Sequence, residues 1–198
     1  MTEIVDYYFA TVSPYAYLGH DRFTAIAKKY GAMVSVKPIN LGEVFPVSGG
    51  LPLSKRAPQR QAYRLVELSR WSRHLDKPMR IQPKFFPVNG DLAAYWILAA
   101  TELGGTRGLD LAGAVGRAIW EQDRDIADAA TMQAIAAECG LPADLEKRAQ
   151  APEIAEKYAA LTQEAIALGV FGAPTYVVAG ELFWGQDRLD FLDRKMAK

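Results

Sequence analysis

GVFGAPTYVVAGELFWG, residues 169–185, sets two short apolar runs on either side of a tight turn and puts a proline at the mouth of the first. Thr175–Val178 is β-branched and aromatic, and Leu182–Trp184 repeats that character. With Ala179-Gly180-Glu181 between them, the stretch predicts a β-hairpin. Pro174 has no N–H to give to a ladder, which ordinarily argues against a strand at that point. Two readings remain. One is a turn proline ahead of an ordinary hairpin. The other is a cis bond between Ala173 and Pro174 that leaves the Ala173 backbone free to pair with a peptide-like ligand.

Working outward narrows the choice. Residues 3–10, EIVDYYFA, predict a strand. Ser13-Pro14 then has the form of a helix start, serine as N-cap and proline at the first helical position. Apolar residues recur at helical spacing to about Tyr30, with Gly31 placed for a left-handed cap. Residues 33–39 predict a second strand, so the chain opens β-α-β, which favours a parallel pair with a right-handed crossover. Residues 40–57 hold Gly42, Pro46, Gly49, Gly50 and Pro52 and are expected to form a long loop. A helix is expected from Pro58 to about Leu75, and a second loop over 77–90. From Asp91 to about Ala149 an Ala- and Leu-rich stretch predicts three or four helices and no strand, with breaks at Gly104-Gly105, near Asp125 and at Gly140-Leu141-Pro142. A helix from Pro152 to Leu168 leads into the hairpin, and Asp187 to about Met196 closes with another. This order predicts an α/β, thioredoxin-like fold: residues 1–40 and 152–198 build the thioredoxin-like part, and 41–151 are an all-helical insertion. In such a fold Pro174 falls where a cis proline is used, beside the start of the first helix.

Composition bounds the function. Of 198 residues 50% are hydrophobic, enough for a real core, and 23 basic side chains balance 23 acidic ones. That balance points away from nucleic acid and from anionic membranes. No apolar run approaches the roughly 20 residues of a membrane span, and the N-terminus lacks a signal-peptide pattern, so a cytoplasmic location is expected. A single cysteine, Cys139, excludes an intramolecular disulfide, a CxxC redox pair and a cysteine zinc site. It reads as an inert buried thiol. Only two histidines exist, His20 and His74, both within predicted helices; with no G-x-S-x-G elbow, a hydrolase triad around Ser13 is not expected.

What remains for Ser13 is a role through its helix. A helix N-terminus offers unpaired N–H groups and partial positive charge, which favour an anion. A thiolate carried by a ligand would be stabilised there, with the Ser13 hydroxyl donating to the sulfur. Serine before proline is also an ordinary N-cap.

DYYFATVSPYAYL at the start, LVELSRW in the first helix of the insertion and FGAPTYVVAGELFWGQDRL near the end, together with the lone cysteine, resemble the 2-hydroxychromene-2-carboxylate isomerase family. That family is similar to the kappa-class glutathione transferases and to the DsbA-like disulfide oxidoreductase fold. The resemblance spans essentially the whole chain, and its two ends are the specific parts. It implies glutathione as cofactor. Ser13 would hold the glutathione sulfur as the catalytic residue, and Ala173, before Pro174, would pair its backbone with the cysteinyl part. Trp184, Gly185, Gln186, Asp187 and Arg188 match the motif that receives the γ-glutamyl end. A carboxylate for its ammonium and helix-terminal N–H groups for its carboxylate suit that end; the same residues also suit a plain N-cap with a surface ion pair.

The resemblance further implies a small aromatic substrate, a place in aromatic-compound catabolism and a homodimer. On the substrate side the chain departs from the family pattern. Ala10 stands where an acidic residue is usual, Phe45 where some members carry lysine, and Ser54-Lys55-Arg56 where an Asn-Arg pair falls. Ser54, Lys55, Arg56 and Phe86 are the expected substrate-side residues, with Lys84-Phe85-Phe86-Pro87 adding an aromatic wall. Arg56, Arg60, Arg64 and Glu67 share one helix face, either a solvated stripe or a source of a guanidinium for a substrate carboxylate. Three functions stay open at this point: a glutathione-dependent cis–trans isomerase, a kappa-like transferase conjugating an electrophile, and a thioredoxin-fold binding protein without turnover.

Overall fold

The computed structural model describes residues 3–197. β1 (Ile4–Phe9) leads through α1 (Pro14–Lys29) to β2 (Met33–Pro38), which pairs with β1 in parallel. After the helices, β3 (Thr175–Val178) and β4 (Glu181–Trp184) form the hairpin, and β3 lies antiparallel to β1. The sheet order is β2-β1-β3-β4. Ala179 and Gly180 turn the hairpin alone, both at positive φ (48° and 80°); Glu181 already belongs to β4 rather than to the turn.

The period-two alternation of β1 divides two packed faces. Val5, Tyr7 and Phe9 point into the larger core with Phe23 of α1, while Tyr8 points to a smaller one with Ile39, Val44, Ala165 and Val177. On the larger side Tyr7 stacks on Phe9 at 4.6 Å and on Tyr176 at 5.4 Å between ring centroids.

Between β2 and the final hairpin the chain is helical: α2 (Leu41–Ser48), α3 (Pro58–His74), α4 (Asp91–Glu102), α5 (Arg107–Trp120), α6 (Ala129–Glu138), α7 (Leu145–Ala149) and α8 (Pro152–Ala167). α9 (Leu189–Met196) closes the described chain, after a 3-10 turn at Gln186–Arg188. α4 is sheathed by α5, α7 and α8, and all of Ala93, Ala94 and Trp96–Ala100 are buried. The larger core runs without a break from the sheet into these helices.

The expectation of an unbroken loop over 40–57 is corrected. The Asn40 side chain accepts from the Gly42 N–H at 2.8 Å and caps α2, Val44 is fully buried, and Gly49 ends the helix at φ 77°. Leu53–Lys55 adds a 3-10 turn. The glycines and prolines of this segment are helix punctuation rather than the mark of a structureless loop.

Candidate functional site

Three backbone segments meet at the N-terminus of α1. Ser13 caps the helix: its Oγ accepts from the Ala16 N–H at 3.2 Å, and its own N–H donates to the Ala10 carbonyl at 2.9 Å. The same hydroxyl donates to the Ala173 carbonyl at 3.3 Å, which ties the helix start to the segment before Pro174. The Ala173–Pro174 bond is cis, as expected. The Gly185 N–H donates to the Pro174 carbonyl at 2.8 Å, bringing in the chain after β4.

Two glycines make this closeness possible. A Cβ on Gly172 would stand 2.4 Å from the Trp184 Nε1, so the half-exposed indole lies directly over the Gly172 backbone, and it also packs on Phe171 at 4.6 Å. Gly185 adopts φ 104°, and a Cβ there would meet the Asp187 Oδ1 at 2.4 Å. Asp187 and Arg188 are exposed and pair with each other at 2.6 Å. Gln186 points the other way. It is 1% exposed, and its carbonyl and side-chain oxygen both accept from Arg22 of α1 at 3.2 Å. The structure thus places Ser13, Ala173, Pro174, Trp184, Gly185 and Asp187 around one mouth, with Arg188 as the partner of Asp187, and makes Gln186 the bracket beneath them. Arg22 and its bracket were not foreseen.

The opposite side of the mouth comes from the insertion. The Thr11 hydroxyl donates to the Gly90 carbonyl at 3.0 Å, fastening the 83–90 loop to the segment before Ser13. That loop carries Phe86, whose bond to Pro87 is also cis, a feature not foreseen. Phe86 packs on Trp120 at 5.0 Å, and the Arg64 guanidinium lies over both rings, 5.2 and 5.9 Å from their centroids. Tyr15, two residues after Ser13, is partly buried against the larger core. Burial holds its phenol above the usual range, and the charges of Arg64, Glu67, Arg56 and Asp187 act on it. Arg56 donates to the Leu51 carbonyl at 2.8 Å. Ser54 and Lys55 are exposed on the 3-10 turn and hydrogen-bond to none of the residues lining the mouth. Ala10 is buried just before the mouth, and Phe45 lies on α2 against Gly50.

A groove of about 550 Å³ runs from Trp184 and Arg188 along β4 and α9, past Phe191 and Arg194. No group of three or more metal-ligating side chains occurs among the described residues. The two histidines stay out of the chemistry: His20 is buried against Gly113, with burial pushing its pKa down to about 4, and His74 packs edge-on against Trp71. Burial raises the Cys139 thiol above its ordinary value, which suits an unreactive group.

The family model of a DSBA-like thioredoxin domain matches residues 4–197. The chain belongs to that family. Among curated relatives it is 29% identical to the 2-hydroxychromene-2-carboxylate isomerase of Sphingobium xenophagum, over 98% of this chain and 97% of the relative. Among solved structures it is similar to a selenomethionine 2-hydroxychromene-2-carboxylate isomerase, with TM-score 0.80, 27% identity and coverage of 98% and 94% of the two chains. The cytosolic disulfide reductase DsbM of Pseudomonas aeruginosa with GSH shares the fold, at TM-score 0.70 and 16% identity over 98% of this chain and all of the other. Among the described residues no helix is long and apolar enough to cross a membrane.

Proposed function

We propose that this chain is a glutathione-dependent isomerase that interconverts 2-hydroxychromene-2-carboxylate-type and trans-o-hydroxybenzylidenepyruvate-type compounds. The observation that carries the reading is the meeting of Ser13, Ala173-Pro174 and Trp184–Asp187 at the mouth of α1 in a chain that matches named isomerases from end to end.

The donor set fits glutathione. The Ala173 N–H has no acceptor among the described residues, which suits the cysteinyl carbonyl. Asp187 offers a carboxylate to an ammonium, with Arg188 held beside it. When bound, glutathione supplies a thiol nucleophile that can add to a conjugated substrate and leave again unchanged. The chain's own residues govern where that thiol sits and how it is charged. The Ser13 proton lies on a long 3.3 Å bond to the Ala173 carbonyl and can turn to a sulfur at modest cost, while Ser13 Oγ keeps the Ala16 N–H. The positive end of α1 favours the anion at the same point. Trp184 and Phe171 pack on each other beside the mouth, and the Phe86 ring offers a flat surface to an aromatic substrate. A homodimer is part of this proposal; the half-exposed Trp184 and Phe191 beside the β4–α9 groove give the chain an apolar surface for one.

Calorimetry with glutathione tests the reading, on the wild type and Ser13→Ala at two pH values. Expected is binding with proton release near neutral pH, and loss of that release in Ser13→Ala. No binding at millimolar glutathione would end the proposal. A stable glutathione adduct as the product, in place of the free isomer, would move the chain to the transferases.

A further inference from the structure

We propose that the Arg64 guanidinium is the carboxylate anchor of this site, holding the acid group of a flat aromatic substrate in a bidentate pair while the substrate's ring lies against Phe86. The inference deepens the isomerase reading above and rests on it for the identity of the substrate, though not for the class of ligand.

The argument begins with a charge that has no partner. Arg64 is half-buried on α3, and among the described residues neither an ion pair nor a hydrogen bond engages it. Its neighbours are aromatic faces, Phe86 at 5.2 Å and Trp120 at 5.9 Å. Of the carboxylates near the mouth, Glu67 has Arg70 at 2.9 Å and Asp187 has Arg188 at 2.6 Å, and neither pairs with Arg64. A partly desolvated cation without a counter-ion is unfavourable, and stacking on rings offsets only part of that cost. An anion supplied from outside would complete the arrangement.

The shape of the gap selects the anion. The Arg64 guanidinium over the Phe86 and Trp120 rings keeps its N–H donors unpaired, and a guanidinium fork takes a planar carboxylate through two parallel hydrogen bonds. The Phe86 face beside it suits a conjugated ring rather than an alkyl chain. Phe86, under Arg64, lies on the loop whose Gly90 accepts from Thr11, two residues before Ser13, so an acid held on Arg64 directs the rest of the ligand toward the mouth of α1.

The test compares an acid with its neutral ester, cinnamate against methyl cinnamate, by calorimetry on the glutathione-loaded protein, for the wild type, Arg64→Met and Arg64→Lys. In the wild type the acid is expected to bind about 10- to 100-fold more tightly than the ester. That preference should vanish in Arg64→Met and return only in part in Arg64→Lys, which keeps the charge but loses the fork. Glutathione affinity should hold in both variants, which separates a lost anchor from a damaged fold. A wild type indifferent to the ester, or a preference that survives Arg64→Met, would overturn the proposal and leave Arg64 as packing for Phe86 and Trp120. If the preference behaves as expected but trans-o-hydroxybenzylidenepyruvate is not turned over, the anchor stands and the isomerase reading fails.

Discussion

The two walls of the mouth are built by different means. The wall of Ser13, Ala173 and Trp184–Asp187 is held by bonds to main-chain carbonyls, from the Ser13 hydroxyl and the Gly185 N–H, and by two glycines at which a Cβ would crowd Trp184 and Asp187. The wall of Arg64 and Phe86 is held by side-chain stacking, on a helix and a loop fastened through Thr11. Backbone contacts fix position whatever the neighbouring side chains are. Stacked side chains shift whenever one of them changes. The first construction suits a ligand that never varies, and the second suits substrates that do. One scaffold carries both, since α1 underlies the whole mouth.

The largest expected effect strikes that shared scaffold. His20 sits on α1 against Gly113, among the charges of Asp21, Lys77, Arg117 and Asp110, and burial lowers its pKa from 6.5 to about 4. Between those values the unfolded chain holds the extra proton, so stability is complete above about pH 6.5 and falls as the pH drops toward 4. The loss through this one group is about 3 kcal/mol. Unfolding midpoints against pH should show this slope in the wild type and a flatter one in His20→Gln; equal slopes would mean the buried imidazole is not its source. Glutathione and acid binding should weaken together over the same range.

A smaller effect separates the walls. In Gly172→Ala the new methyl would meet the Trp184 ring, which is half exposed and free to swing outward. The overpacking should cost about 1–2 kcal/mol of stability. Glutathione should bind about tenfold more weakly, while the preference for acid over ester stays as in the wild type. An equal loss on both sides would show that the walls are not independent.

The same contrast explains what the sequence made legible. The β-α-β opening, the cap at Ser13 and the hairpin after Pro174 are local patterns, each enforced by neighbours in the chain, and they are found where the residues suggest. α2 was obscured because Pro46 and three glycines suggest a loop, although Asn40, Leu41, Val44 and Ser48 follow a helix's capping and spacing. The inward turn of Gln186 was invisible, because it depends on Arg22, 164 positions away along the chain. Arg64 could be placed on a helix face with Arg60 but not singled out, since only the fold carries the Phe86 and Trp120 rings beneath it; Arg56, expected on the same face, lies in extended backbone before α3 begins at Pro58.

The smallest effect probes the stacked wall alone. Phe86→Leu keeps an apolar side chain but removes the flat face under Arg64 and the contact with Trp120. Phe86 is only partly buried, so the fold should lose about 1 kcal/mol or less. Glutathione binding should not change, because no main-chain bond of the first wall passes through Phe86. The KM for the aromatic acid should rise about threefold to fivefold, the share of binding carried by one ring face and the orientation it lends Arg64. The acid-over-ester preference should shrink but persist, since the guanidinium remains. Were Phe86→Leu instead to weaken glutathione as strongly as the acid, the ring would belong to the backbone-held wall, and stacking would no longer mark the boundary between cofactor and substrate.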